Sequence, residues 1–217
     1  MSNLTSRSGS TGRSVPPGTR PAVVATLELT RGDALYRRGD PAASVYRVEA
    51  GLLKLFLDTA AGRERIIGVA GPGDLIGAVN AHTEINSENA EALSSSVKLS
   101  LLADNGSVSQ EARLEALSHQ QLQLLESIED GELPVPARLA RTLARLAERF
   151  GQHRSDGQTR LTLPLTHDNL AAMIGAARET TSFTLAEMRR AGVLDGTRGI
   201  YTLRIDSLHA YAAANVD

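Results

Sequence analysis

Cysteine is absent from the 217-residue sequence. Without thiols the chain can form neither disulfides nor a thiolate zinc site, and it cannot hold an iron–sulfur cluster through cysteine ligands. Three signatures of enzymes are missing as well: a nucleophile beside a base, a glycine loop that cradles phosphate, and the HExxH zinc motif. We therefore expect no enzymatic activity and no bound metal or cofactor.

Long apolar runs are also absent. No stretch approaches the roughly 20 residues of a membrane-spanning helix, and the first residues lack the apolar segment of a secretory signal. We expect a cytoplasmic protein with no membrane partner. The 41% hydrophobic and 22% charged residues are ordinary for a soluble globular protein.

The formal net charge of −2 conceals an uneven distribution. Residues 134–217 carry 11 basic residues, all arginine, against 8 acidic residues, a balance of +3, whereas residues 109–133 carry 1 arginine against 6 acidic residues, a balance of −5. A DNA-binding carboxyl-terminal region would be expected to carry a net positive charge, as residues 134–217 do. A plain solvated surface would also account for so small an excess.

Residues 1–22 are rich in Ser, Gly, Pro and Thr and are predicted to be a disordered tail. Residues 23–108 contain short alternating runs separated by glycine turns, which predicts an antiparallel sandwich or barrel. The predicted strands are Leu27–Leu29, Ala34–Tyr36, Val45–Val48, Leu53–Leu57, Arg65–Val69, Asp74–Ile76 and Val97–Leu101.

Residues 109–133 are predicted to form a long helix and a hinge. Apolar residues recur there at intervals of 3 and 4, the spacing of a coiled-coil seam. The seam residues are Leu114, Leu117, Gln121, Leu124 and Ile128. We expect this helix to dimerise, with Gln121 facing its symmetry mate and with Leu122 and Leu125 packed on the β-domain of the same subunit. A long helix inside a monomeric core is the alternative.

Residues 134–217 should form a further domain that follows a proline-rich hinge, Gly131–Pro136. Its first helix is predicted over Ala137–Phe150, with Leu139, Leu143 and Leu146 buried. Three arginines, Arg141, Arg145 and Arg149, form a stripe that we expect to be solvated or near the backbone of bound DNA.

The segment Leu165–Leu194 has an order of apolar, glycine and charged positions that is typical of two short helices joined by a tight corner. Thr166 is placed to cap the first helix, with Asp168 in its first turn, and Gly175 can adopt the left-handed conformation of a corner. The second helix is predicted from about Arg178 to Arg190. These features indicate a helix-turn-helix.

Advancing each residue by about 100° divides the second helix into two faces. The inward face contains Thr181, Thr184, Leu185 and Met188. The outward face contains Arg178, Glu179, Ser182 and Phe183. An arginine can bond guanine O6 and N7 and a carboxylate can accept from cytosine N4, which suits a DNA major groove. The alternative is an ordinary amphipathic hairpin in an all-α core, with Arg178 and Glu179 as a solvated ion pair.

Several motifs resemble one family. The sequence Gly175-Ala-Ala-Arg178-Glu179-Thr180-Thr181, with the strand upstream of it and the hairpin downstream, is similar to the winged helix of the cyclic-AMP receptor protein and fumarate-nitrate regulator (Crp–Fnr) family. The phrases Arg38–Ala42, Glu49–Lys54 and Gly73–Gly77 resemble the cyclic-nucleotide-binding β-roll. The resemblance extends over nearly the whole chain.

The resemblance implies an α+β protein with an N-terminal antiparallel β-roll, a long dimerisation helix and a C-terminal winged helix-turn-helix. It implies a homodimeric, sequence-specific transcription regulator, an activator, that binds near-palindromic double-stranded DNA and contacts RNA polymerase. The implied DNA-contacting residues are Thr166, His167, Arg178, Glu179, Thr180, Ser182, Phe183 and, at the tip of a hairpin wing, Arg198.

Two residues depart from the family pattern in this region. The family usually has Ser or Thr as the cap before the Arg-Glu pair, where this chain has Ala177, and such a loss costs on the order of 1 kcal/mol of local stability. Phe183 replaces a second base-contacting arginine. We expect Arg178 and Glu179 to keep their guanine and cytosine contacts while the inner part of the half-site changes.

The nucleotide-binding residues depart further. The family has a glutamate after the glycine at Gly77 for the ribose, then an arginine with Ser or Thr for the phosphate; this chain has Ala78 and Glu88-Asn89. Carboxylates of Glu84, Glu88 and Glu91 are expected to line the phosphate site and repel a phosphodiester. The sequence therefore predicts no cyclic-AMP binding in the family's manner.

Other possibilities are weaker. His82 with Glu84 and Glu88 fits no standard metal spacing, and His82 as a haem ligand has no identifiable second ligand. The rival function is a β-roll regulatory module that binds a ligand and acts through protein contacts without DNA.

Overall fold

The computed structural model describes residues 22–80, 84–103, 108–197 and 199–216. The predictions for a disordered tail before Ala22, for His82 and for Arg198 lie outside these residues. In the described ranges no helix is long and apolar enough to cross a membrane.

Two four-stranded antiparallel sheets form the amino-terminal β-roll. One sheet has the order β1-β8-β3-β6 and the other the order β2-β7-β4-β5. The strands are β1 Val23–Leu29, β2 Ala34–Tyr36, β3 Val45–Ala50, β4 Leu53–Asp58, β5 Glu64–Ala70, β6 Leu75–Gly77, β7 Asn89–Ala92 and β8 Val97–Leu102. Alternate apolar residues of these strands, such as Val48, Leu53 and Leu99, are buried together in one cluster.

Strand β7 was not predicted, because its sequence Asn-Ala-Glu-Ala has little intrinsic preference for strands. It forms because it lies between β2 and β4, where Ala90 pairs with Leu55 and Ala92 with Leu53. Both alanines are fully buried. All of the strands that were predicted in this region appear in the structure, with ends that differ by a few residues.

Helix α1, Gln110–Gly131, begins at the predicted position, where the Ser109 hydroxyl accepts the Ala112 backbone N–H at 3.1 Å. Its inner face places Ala112, Ala116 and Leu117 against the β-roll. The expectation that Leu122 and Leu125 pack on the β-roll was wrong, since they are 58% and 49% exposed. The helix is rotated relative to the predicted seam, so that Leu117 is partly buried and Leu125 faces outward.

Helix α2, Val135–Phe150, begins two residues before the predicted start. Pro136 lies in its first turn, where a missing backbone N–H costs no helical hydrogen bond. Leu139, Leu143 and Leu146 are buried, as predicted.

The arginine stripe of α2 points back into the protein, contrary to both expectations for it. Arg145 donates to Asp130 of α1, and Arg141 Nε lies 3.0 Å from the other oxygen of the same carboxylate. Arg149 pairs with Asp74 and donates to the Val69 carbonyl of β5 at 2.7 Å. These contacts attach the carboxyl-terminal domain to α1 and to the β-roll.

The rest of the chain forms a small helical domain with a four-stranded sheet of order β11-β12-β10-β9. Its elements are β9 Gln152–His153, β10 Thr159–Thr162, α3 His167–Ile174, α4 Arg178–Arg190, β11 Leu194–Thr197, β12 Ile200–Leu203 and α5 Ile205–Ala213. The wing hairpin was predicted. Helix α5 was missed, although Leu208 and Ala212 recur at helical spacing and are buried in the domain core.

Candidate DNA-binding surface

The first turn of α3 is fixed by a reciprocal pair of hydrogen bonds. The Thr166 hydroxyl accepts the Asn169 backbone N–H at 3.1 Å, and the Asn169 side-chain oxygen accepts the Thr166 backbone N–H at 3.0 Å. This capping box satisfies two backbone donors at the helix start. The cap at Thr166 was predicted; the return bond from Asn169 was not.

The corner of the helix-turn-helix lies at Gly175, which has φ 63° and ψ 41°, the left-handed conformation that was predicted. The corner is also crowded, because an added Cβ would lie 2.0 Å from Nη1 of Arg65 on β5, and the arginine side chain would have to move. Arg138 of α2 donates to the Ile174 carbonyl at 2.8 Å, just before the corner. The corner therefore touches both the β-roll and α2.

Helix α4 has the predicted bounds and the predicted inward face. Thr181, Thr184, Leu185 and Met188 are all buried. The two buried threonine hydroxyls donate to the Ala177 and Thr180 carbonyls, each at 2.9 Å, so that neither donor is left unpaired. Ala177 provides no side-chain cap, as expected from its sequence.

The opposite face of α4 is open to solvent. Arg178, Glu179, Thr180 and Phe183 are exposed, Phe183 by 63%. The ionic partner of Arg178 is Asp168 of α3, with 3.4 Å between Nε and Oδ2, and not its neighbour Glu179. The Arg178 guanidinium thus lies at the α3–α4 junction. The arginine side chain is free to move, since it and Asp168 are both mostly exposed.

His167 and Ser182 join the same junction from the other side. His167 Nδ1 lies 2.7 Å from Ser182 Oγ. Partial burial and the nearby guanidiniums of Arg189 and Arg178 lower the pKa of His167, against a smaller opposing effect of Asp168. The imidazole is therefore neutral near pH 7 in the free protein.

Sequence reasoning missed one residue of this surface, Arg189. From the last turn of α4 its Nε donates to the Gly196 carbonyl of β11 at 2.7 Å. This bond connects α4 to the wing hairpin formed by β11 and β12. The only signal in the sequence was a basic residue at a helix end, which is too common to predict a specific partner.

Comparisons with known proteins agree with this geometry. Residues 137–211 match the Crp-like helix-turn-helix domain and residues 26–105 match the cyclic nucleotide-binding domain. The regulatory protein CysR of Synechococcus elongatus is 30% identical over 182 residues, which cover 81% of this chain and 83% of that protein. This chain belongs to the Crp–Fnr family.

Two further Crp–Fnr relatives carry informative names. The CRP-like cAMP-activated global transcriptional regulator of Mycobacterium tuberculosis is 27% identical, over 81% of this chain and 85% of its own length. The transcriptional activator protein anr of Pseudomonas aeruginosa is 28% identical, over 86% and 79%. Among solved structures, a CRP/FNR-family transcriptional regulator from Thermus thermophilus has a TM-score of 0.71 at 25% identity and covers 88% of this chain and 100% of that one.

Membership of the Crp–Fnr family makes the chain a DNA-binding transcription regulator and not an enzyme. The helix-turn-helix prediction and the predicted fold class are confirmed. The alternatives of an ordinary amphipathic hairpin and of a protein-binding module without DNA are thereby set aside.

The positions that correspond to the Crp–Fnr nucleotide cassette serve the β-roll itself. Buried Asn89 accepts the Arg38 backbone N–H at 3.0 Å and donates to the Phe56 carbonyl at 3.3 Å. Glu88 accepts from the hydroxyl of Tyr36 at 3.0 Å, and Glu91 pairs with Lys54 at 3.0 Å. The place of the expected arginine is thus taken by Glu88, bonded to Tyr36, and the next position holds a structural amide, while Glu84 is exposed.

Tyr36 and Ala78 complete the description of this region. Burial, then the charge of Glu88, raises the pKa of Tyr36. Ala78, in the place of the expected ribose-binding glutamate, is buried in an apolar cluster with Val45 and Val79. Across the described part of the chain no group of three or more His, Asp or Glu is arranged to hold a metal ion.

Proposed function

We propose that the chain acts as a homodimer that binds near-palindromic DNA through the outward face of α4, without requiring cyclic AMP. The observation that carries this proposal is the exposed set Arg178, Glu179, Thr180 and Phe183, aligned on one face beside Thr166, His167 and Ser182. Arginine and glutamate at the start of a recognition helix supply donors for guanine and an acceptor for cytosine.

Dimerisation is supported by α1. Four apolar residues of one face are exposed in the single chain: Leu114, Leu124, Leu125 and Ile128. Gln121 lies among them and is also exposed. An apolar helical face of this kind is typical of a surface covered by a second copy, and a two-fold axis would place two recognition helices about one DNA turn apart.

Activation through RNA polymerase is the finer part of the proposal. It is supported by a relative that is named as a transcriptional activator, the anr protein. Transcription from a promoter that carries a selected site, with purified polymerase, tests it: the protein is expected to increase the transcript, and a decrease would identify a repressor.

Independence from cyclic AMP is supported by three residues. Ala78 has no group to accept the ribose hydroxyl, and Asn89, at the second position of the pair expected to bind the phosphate, is committed to two backbone partners. Glu88, in the place of the expected arginine, is acidic and would repel a phosphate. The M. tuberculosis relative is named as cAMP-activated, so it provides a natural positive control.

We expect selection of binding sites from random DNA to yield the same two-fold symmetric motif with and without cyclic AMP. Titration calorimetry with 1 mM cyclic AMP, about a thousandfold above a micromolar dissociation constant, should detect no heat of binding. A motif that appears only with the nucleotide would contradict the independence, whereas an asymmetric motif would contradict the dimer.

Arg178→Ala is expected to lower the affinity for the selected duplex by about 1–3 kcal/mol and to relax one guanine position, since the lost contact is made to a base edge. Arg198→Ala is expected to weaken all sequences alike and to reduce the salt dependence, since an arginine at the predicted wing tip would meet phosphate. Fluorescence anisotropy with selected and scrambled duplexes at several salt concentrations measures both. Equal losses on both duplexes for both variants would refute this division.

A further inference from the structure

The contact between His167 and Ser182 indicates a role for the imidazole in addition to the DNA contact proposed above. The capping box fixes His167 as the first residue of α3, and from there its ring lies across the junction against the second turn of α4. Ser182 lies on the side of α4 that is proposed to face the DNA bases, and it is half-buried. The Ser182 hydroxyl has one hydrogen and two lone pairs. If the hydrogen is donated to His167, only lone pairs remain for DNA; if His167 donates instead, the hydrogen remains available to DNA.

We propose that His167 determines whether Ser182 accepts from or donates to a DNA base, so that base preference at one position depends on pH. This inference rests on the proposed DNA contact of α4. With Nδ1 unprotonated, Ser182 donates to the imidazole and offers only lone pairs outward. Those lone pairs accept from the amino group of adenine or cytosine.

Protonation of the imidazole reverses the bond. Nδ1–H then donates to Ser182 Oγ, and the hydroxyl hydrogen is released toward the groove. A donor at that point suits guanine N7 and O6 or thymine O4. The same side chain therefore selects different bases in the two states.

The surroundings of His167 influence how readily its ring is protonated. In the free protein, partial burial and then the charges of Arg189 and Arg178 on α4 favour the neutral ring and lower its pKa below 6.5. Asp168 on its own helix favours the charged form. Nearby phosphates of bound DNA attract a proton to the ring and oppose this lowering, so acid should protonate His167 more readily in the complex than in the free protein.

The test begins with the base pair that Ser182 faces, defined as the position at which Ser182→Ala loses its preference in a selection from random DNA. Affinities for four duplexes that differ only at that pair are then measured by anisotropy at pH 7.5 and pH 5.5. We expect the wild type to prefer adenine or cytosine by about tenfold at pH 7.5 and to reverse or lose that preference at pH 5.5.

Two histidine variants separate positioning from a general effect. His167→Gln cannot titrate, so the preference should be the same at both pH values. His209→Gln is the matched control, because His209 lies on α5 and contacts Glu148 instead of α4; it should keep the wild-type pH dependence. Circular dichroism at both pH values verifies that each variant is folded.

The outcomes are distinct. A wild type with equal preference at both pH values, or a His167→Gln variant that retains the pH dependence, overturns the role of His167. A preference for guanine or thymine at pH 7.5 also overturns it, because Nδ1 would then carry the proton in the neutral ring. If the wild type prefers no selected duplex over scrambled DNA at pH 7.5, the DNA contact of α4 itself fails.

Discussion

Ile128→Glu is expected to convert the protein from a dimer to a monomer and to lower its affinity for a selected palindromic duplex by at least about a hundredfold. Ile128 is 69% exposed in the single chain, the largest exposure on the apolar face of α1. Covering such a side chain contributes about 1.5–3 kcal/mol, and a two-fold interface contains it twice. Burying two carboxylates in the same place costs several kcal/mol instead.

The loss of DNA affinity follows from geometry. A dimer engages two half-sites at once, so the second contact is made at high effective concentration, and a monomer loses this advantage. Size-exclusion chromatography with light scattering measures the mass, and anisotropy measures the affinity. A dimeric Ile128→Glu protein with unchanged affinity would refute the assignment of this face.

Val24→Glu is the matched control for this experiment. Val24 is 65% exposed, like Ile128, but it lies on β1 and outside α1. The variant introduces the same charge at an equally exposed apolar residue. It should remain dimeric and bind the selected duplex with wild-type affinity.

Asp130→Ala is expected to lower the free energy of unfolding by about 3 kcal/mol. Its side chain is 6% exposed and contacts both Arg141 and Arg145, so the variant leaves two guanidiniums without their buried partner. Removing one member of a buried pair costs roughly 3–5 kcal/mol. The lower end applies because the arginines are 36% and 28% exposed and keep weaker contacts with Glu129 and Glu126.

Glu129→Ala is the comparison variant, because it removes an exposed carboxylate that contacts Arg141, one of the two arginines paired with Asp130. Glu129 is 70% exposed and lies 3.6 Å from Arg141, so its loss should change stability by less than about 1 kcal/mol. Urea unfolding followed by circular dichroism compares the two variants. Equal effects of the two substitutions would show that burial of Asp130 contributes nothing.

The helix-turn-helix was predictable because its signals are local. A capping threonine, a glycine at the corner and a 3.6-residue period each act within a few residues, and α3, Gly175 and α4 appear where the sequence places them. The members of the outward face could be chosen for the same reason. Whether those residues contact DNA as proposed depends on a partner that no single-chain pattern describes.

Other features depend on distant residues and were less predictable. The rotation of α1 is set by which side packs on the β-roll, a distant contact that the heptad spacing does not describe, so Leu117 and Leu125 exchanged roles. The arginines of α2 have helical spacing that suits any solvated surface; their acidic partners lie 11 to 75 residues away. Likewise β7 exists through pairing with β2 and β4, which its own composition does not favour.

The contact between Arg65 and Gly175 affects the construction of domain chimaeras between this protein and its relatives. In a chimaera that joins this β-roll to another DNA-binding domain, a corner residue with a side chain would have to displace the Arg65 guanidinium. The two positions therefore form one unit in space, although 110 residues of sequence separate them. Domain boundaries chosen from sequence alone would divide that unit.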